Sequence, residues 1–256
     1  MEKLGAKLII NEKLTRFIVK IFKNKTVLIQ GAFDMEIEYV INLLQDKKIM
    51  EINEYQFFIG TIGDVSVIVS KTLIGTINAT IATCIGITNF NPDIVINQGI
   101  AGSHREDLHI DDIVIGQKCY NINSYKMPIK SKGSGSNPFG WKLNKRAKDV
   151  KCASSELVYM LKKYISNASK AKVFTGILGS GDVYNREYDR IKWINNQFHN
   201  LCEDMESIGV YSVYNKFNIP CIGIRIISNN ELLSGEIKKE IAIQLQKILI
   251  NILIDL

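Results

Sequence analysis

Apolar residues along this chain follow two spacings. Short β-branched runs at 26–31 (TVLIQG), 93–99 (DIVINQG), 112–120 (DIVIGQKCY), 172–181 (KVFTGILGSG) and 219–228 (IPCIGIRIIS) are apolar on both faces. Strands covered on both sides have that pattern. Between them, 33–48, 77–89, 153–167, 207–217 and 237–254 carry apolar residues three and four apart, which predicts helices with one buried face. Residues 56–71 read as a hairpin turning at Gly63-Asp64. Strands alternating with helices predict an α/β fold. Neither an internal repeat nor a linker divides the chain. The Gly/Ser-rich segment 131–140 (SKGSGSNPFG) predicts a long surface loop, a kind of segment that often carries function.

Composition narrows the classes. The 256 residues are 46% apolar and 23% charged, as in an ordinary soluble globular protein. The net charge of +6 is spread among interspersed acids and bases, so it predicts a solvated basic surface; no nucleic-acid motif accompanies it. Cys84, Cys119, Cys152, Cys202 and Cys221 form no CxxC pair and read as reduced thiols of a cytoplasmic protein. His104, His109 and His199 lack metal-ligand spacing, and no metal is expected. Residues 1–25 are basic and amphipathic; Lys13, Arg16 and Lys20 interrupt the apolar run, so no transmembrane span is expected. They read as an added helix on the domain or at an oligomer interface, with a membrane-surface helix as the alternative.

Candidate chemistry concentrates in two segments. CEDMES (202–207) places Glu203, Asp204 and Glu206 within four positions, just before a helical stretch. About twenty residues on, the strand IGIRIIS runs into Asn229 and Asn230. Together with GAFDME, TLIGTINA, PDIVINQGIAG, LHIDDIVIG and GILGSGDVY, in this order, they resemble the purine nucleoside phosphorylase/nucleosidase superfamily. The nearest pattern is that of the 5'-methylthioadenosine/S-adenosylhomocysteine nucleosidases. The resemblance covers residues 26–256 and leaves 1–25 as an N-terminal extension. It implies a single domain with a mixed, partly barrelled central β-sheet flanked by helices.

The resemblance also implies roles. Glu36, the last acid of GAFDME, would activate the water that attacks the ribose C1', work that suits a carboxylate. Thr72 and Gly75 would lie near the ribose, and Gly99 would let the backbone approach the ligand. Tyr184 would stack on the base. Met205 would pack beneath the sugar, and both oxygens of Glu206 would accept from its hydroxyls. Asp204 would act from behind them. Ser228 would orient Asn229, which stands where the methylthioadenosine enzymes have a proton-donating acid. An amide donates hydrogen bonds but gives up no proton, so the base is adenine handled slowly, or a 6-oxopurine as in futalosine hydrolases. Glu231 would substitute for the acid if its loop shifts. Asn97 stands where the phosphorylases have a phosphate-binding arginine, which makes water the expected nucleophile. No cofactor is implied. A homodimer is, with the loop around 121–140 contributing to the neighbour's 5' pocket. A nucleoside-binding protein without turnover is the reading from a different class.

Overall fold

The computed structural model describes residues 21–144, 155–233 and 235–254. The β-branched runs become strands: β1 (Thr26–Gly31), β5 (Ile94–Ser103), β6 (Ile113–Asn121), β9 (Val173–Ser180) and β11 (Cys221–Asn230). The hairpin is present as β3 (Tyr55–Ile62) and β4 (Val65–Lys71). With β2 (Gln45–Ile52) and β10 (Asn200–Asp204), the described strands form a nine-stranded sheet ordered β10-β9-β6-β11-β5-β1-β4-β3-β2. A separate small ribbon joins β7 (Tyr125–Lys126) to β8 (Lys142–Leu143).

The sheet is partly closed. β10 pairs in parallel with β9 and also, antiparallel, with β5, so β5, β11, β6, β9 and β10 form a ring. β1, β4, β3 and β2 extend from it as an open wing. The mixed, partly barrelled sheet expected from the resemblance is therefore present.

The helices cover both faces, as two-sided strands require. Val27 and Ile29 of β1 join a core with α1 (Asp34–Leu43), α3 (Ser155–Ala168) and α6 (Ala242–Ile254). Leu28 points the other way, into a core with α2 (Thr76–Phe90) and α5 (Ser207–Phe217). Phe22 is fully buried in the first core, whereas residues 1–20 of the expected extension lie outside the described residues.

Three readings need correction. The helix expected over 33–48 ends at Leu43; Leu44 turns to ψ 125° and the chain enters β2, whose pairing with β3 overrides local helical spacing. The closing helix begins at Ala242, after a 3₁₀ turn at Lys239–Ile241. Helix α4 (Tyr188–Phe198) and strand β10 were not anticipated.

Candidate active site

A cavity of about 440 Å³ opens where the residues following β1, β4, β9, β10 and β11 converge on the C-terminal half of β5. That size suits a small ligand. Two backbone devices shape it. The pairing of β11 with β5 steps from Ile227↔Ala101 to Asn229↔Gly102, leaving Ser228 in a bulge. A bulge re-aims side chains, and both Ser228 and Asn229 line the cavity. Gly75 caps α2 at φ 109°, a conformation that L side chains rarely adopt, and its N–H donates to Glu206 Oε1 at 3.2 Å.

Glu36 sits in the first turn of α1, buried. Its Oε2 accepts from Ala32 N–H at 2.6 Å and its Oε1 from Ile100 N–H at 2.8 Å. A Cβ on Gly99 would run into this carboxylate, so the glycine makes room for it. Burial raises the Glu36 pKa above the usual carboxylate range, outweighing the two backbone donors and the Arg225 charge. A raised carboxylate pKa suits a base working near neutrality.

On another wall, Glu206 accepts from Gly75 N–H and Met205 N–H. Burial, and then the charges of Asp204 and Glu36, push its pKa up to about 8. Asp204 behaves oppositely: burial opposes its ionisation, but Arg225 and the Ser207 hydroxyl outweigh that and hold it low. Arg225 Nε donates to Asp204 Oδ2 at 2.9 Å. Its Nη1 donates to the carbonyls of Asn97 and Ile224, and its Nη2 to Asn97 Oδ1 and Ser207 Oγ. All five guanidinium N–H groups are thus engaged inside the protein. A charge buried in the apolar strand IGIRIIS needs such partners to be tolerated.

At the far end, Ser228 Oγ donates to Asn229 Oδ1 at 2.8 Å, and Asn229 Nδ2 donates to Glu231 Oε1 at 2.7 Å. This fixes the amide orientation and leaves one Nδ2 hydrogen uncommitted, so Asn229 presents a donor. Tyr184, half exposed, lines the same region, with the Arg186 guanidinium 5.7 Å from its ring centroid. Glu203 accepts from Asn185 N–H at 2.9 Å and from its Nδ2 at 2.6 Å, tying down the segment that carries Tyr184. His104 Nε2 lies 3.1 Å from Glu203 Oε2, buried with it.

A family model described as the phosphorylase superfamily matches residues 26–254. The chain belongs to the phosphorylase superfamily. It is 32% identical over 206 residues to a 5'-methylthioadenosine/S-adenosylhomocysteine nucleosidase of Buchnera aphidicola (from Schizaphis graminum), covering 78% of this chain and 81% of that protein. Among solved structures it resembles the enzyme of that name from Colwellia psychrerythraea in complex with adenine, with a TM-score of 0.76 and 23% identity over 92% of this chain and 97% of that one. It also resembles a futalosine hydrolase mutant from Helicobacter pylori, with a TM-score of 0.72 and 23% identity over 91% of this chain and all of that one. At these identities the two structures speak for the shared fold.

In this superfamily member, Glu36, Tyr184, Met205, Glu206, Ser228 and Asn229 line one cavity. Gly75 and Gly99 act from behind, on Glu206 and Glu36. Thr72 does not reach the cavity: it is buried, and its hydroxyl donates to the carbonyls of Gly31 and Leu73. Glu203, His104 and Asp182 also shape the site, although no sequence motif assigns them a role. Asp182 accepts from Thr76 N–H at 2.7 Å and from its hydroxyl, fixing the start of α2. The pairs His104–Glu203 and Thr76–Asp182 join residues about a hundred positions apart, beyond the reach of local motifs. Arg225 did carry a signal, as a lone charge within an apolar strand.

Proposed function

We propose that this chain hydrolyses the N-glycosidic bond of a purine nucleoside, with Glu36 activating water and Glu206 holding the ribose hydroxyls. One observation carries the choice of water over phosphate: Arg225, the cation buried behind the cavity, has every N–H committed within the protein. A phosphate dianion would find no bidentate partner among the lining residues, where Lys239 is the cation, and would face the ionised Asp204 and the acids around it. The same acidic lining favours a ribose that gains positive charge as the bond to the base stretches. Water then adds at C1', giving its proton to Glu36, and the base departs with the electron pair of the broken bond.

The substrate class that the curated relatives support is 5'-methylthioadenosine or S-adenosylhomocysteine. Asn229 favours a second reading, a 6-oxopurine nucleoside, because its uncommitted N–H can donate to a 6-oxo oxygen, where adenine carries an amino donor instead. Base release followed by chromatography separates them. Adenine from methylthioadenosine or adenosylhomocysteine is the expected product; hypoxanthine alone, from inosine or futalosine, would establish the second reading. Release from none of the four, with tight nucleoside binding, would sink the hydrolase assignment.

The protein is proposed to act as a homodimer in the cytoplasm. Ile74, Ile77 and Ile81, at the cavity rim and along α2, are 56%, 71% and 42% exposed and suit a second copy. A monomeric mass by light scattering at micromolar concentration would contradict that assembly. Cys84, Cys119 and Cys202 form no disulfide among the described residues, which suits a reducing compartment, and among the described residues no helix is long and apolar enough to cross a membrane.

A further inference from the structure

We propose that the Glu231 carboxyl delivers the proton to the departing base, a step that Asn229 cannot perform; the proposal rests on the hydrolase reading above. Glu231 begins the 3₁₀ turn that follows β11, and its side chain is 3% exposed, at the wall of the cavity. Its position is built, and needs no shift of the loop. Oε1 accepts from Asn229 Nδ2 at 2.7 Å, and Asn229 is itself held by Ser228. On the other side the carboxylate lies against Gly102, where an added Cβ would meet Oε1 at 2.6 Å. Glycine at this place in β5 makes room for the acid, as Gly99 does for Glu36.

The groups facing Glu231 act on its proton in both directions, and burial decides the balance. The Asn229 amide donates to Oε1 and so favours the carboxylate. Glu203 on β10 contributes negative charge, and Tyr184 adds a phenol. The opposing cation is Arg186, whose Nε is 3.8 Å from Oε2 but whose side chain is mostly exposed. Burial, the largest influence, raises the Glu231 pKa, and the Glu203 charge adds to it. A carboxyl with a raised pKa can hold a proton near neutrality and release it to a basic nitrogen.

The step balances. The bond between C1' and the base nitrogen breaks, and its electron pair enters the purine ring. The Glu231 proton bonds to a ring nitrogen, so the base leaves neutral and Glu231 becomes a carboxylate. Water adds to C1' and gives a proton to Glu36. Solvent exchange then discharges Glu36 and reprotonates Glu231, restoring both acids.

Glu231→Gln keeps the shape and the contact with Asn229 but removes the proton. It should lower kcat for nucleosides roughly 10²–10⁴-fold, with little change in KM, and abolish the fall of kcat at high pH. Hydrolysis of 4-nitrophenyl β-ribofuranoside, whose phenolate leaves without a proton, should lose no more than a few-fold, which also shows that the variant is folded. Adding Asn229→Asp to Glu231→Gln should restore a large part of nucleoside turnover. Equal losses on both substrates, or an unchanged pH profile, would overturn the assignment of Glu231 while leaving the hydrolase reading intact. A wild-type protein that releases no base would overturn both.

Discussion

At the scale of single residues, the cavity places its carboxylates in opposed electrostatic states. Asp204 is held ionised by Arg225, whereas Glu206 is pushed up to about 8 from an ordinary 4.5, by burial first. The folded protein therefore binds the Glu206 proton more tightly than the unfolded chain does. The stability this contributes is whole below about pH 4.5 and is lost as pH rises through about 8. Glu206→Gln stays neutral at every pH. It should raise Tm relative to wild type at pH 9 but not at pH 4.5, by about 2–4 °C for each kcal/mol recovered. It should lose nucleoside turnover above about pH 8, where wild-type Glu206 is ionised and can accept from two ribose hydroxyls with two oxygens. Thermal melts at the two pH values check this, and an equal Tm shift at both would contradict the assigned protonation state. The positions of Glu36, Glu206 and Asn229 were legible because each belongs to a short ordered motif. The environment of Glu231 was not, because Gly102 lies more than a hundred residues away in the sequence and the bulge at Ser228 leaves no local mark.

At the scale of elements, the position of Glu36 depends on how α1 is anchored. Gln246 of α6, fully buried, accepts from Tyr39 N–H at 3.0 Å and Val40 N–H at 3.3 Å, and donates to Met35 O at 2.7 Å. Gln98 of β5 donates to the carbonyl of Glu36 itself. Two glutamines thus hold the first turns of the helix that carries the proposed base. Gln246→Leu would leave these backbone groups short of partners, at a cost of about 1–3 kcal/mol for each buried group left unsatisfied. It should lower Tm and also kcat, although the residue lies outside the cavity. A lowered Tm with kcat unchanged would show that α1 holds Glu36 without this anchor. The strands buried on both faces were readable from sequence, since two-sided burial leaves continuous apolar runs. β2 was not, because its residues QDKKIMEI are almost all exposed and only its pairing with β3 makes it a strand. Helix α4 did show Ile191, Ile194 and Phe198 at helical spacing, and its polar remainder masked them.

At the scale of the whole molecule, closing one half of the sheet does what an open sheet would not. It brings β10 against β5, so that Glu203 pairs with Gly102 and the carboxylates of CEDMES face Glu36 and Asn229 across one cavity. The fold class was legible in the alternation of strands and helices, and the closure was implied by the family resemblance. Periodicity alone could not show it, because β10 is five residues long and its partner is distant. This architecture is proposed to deliver water, and not phosphate, to the ribose. The most direct test is base release measured in ¹⁸O-labelled water with and without added phosphate, with mass analysis of the sugar. Equal rates in both and one ¹⁸O atom at C1' of a free ribose derivative are the expected result. Base release that requires phosphate and yields an unlabelled sugar phosphate would contradict it.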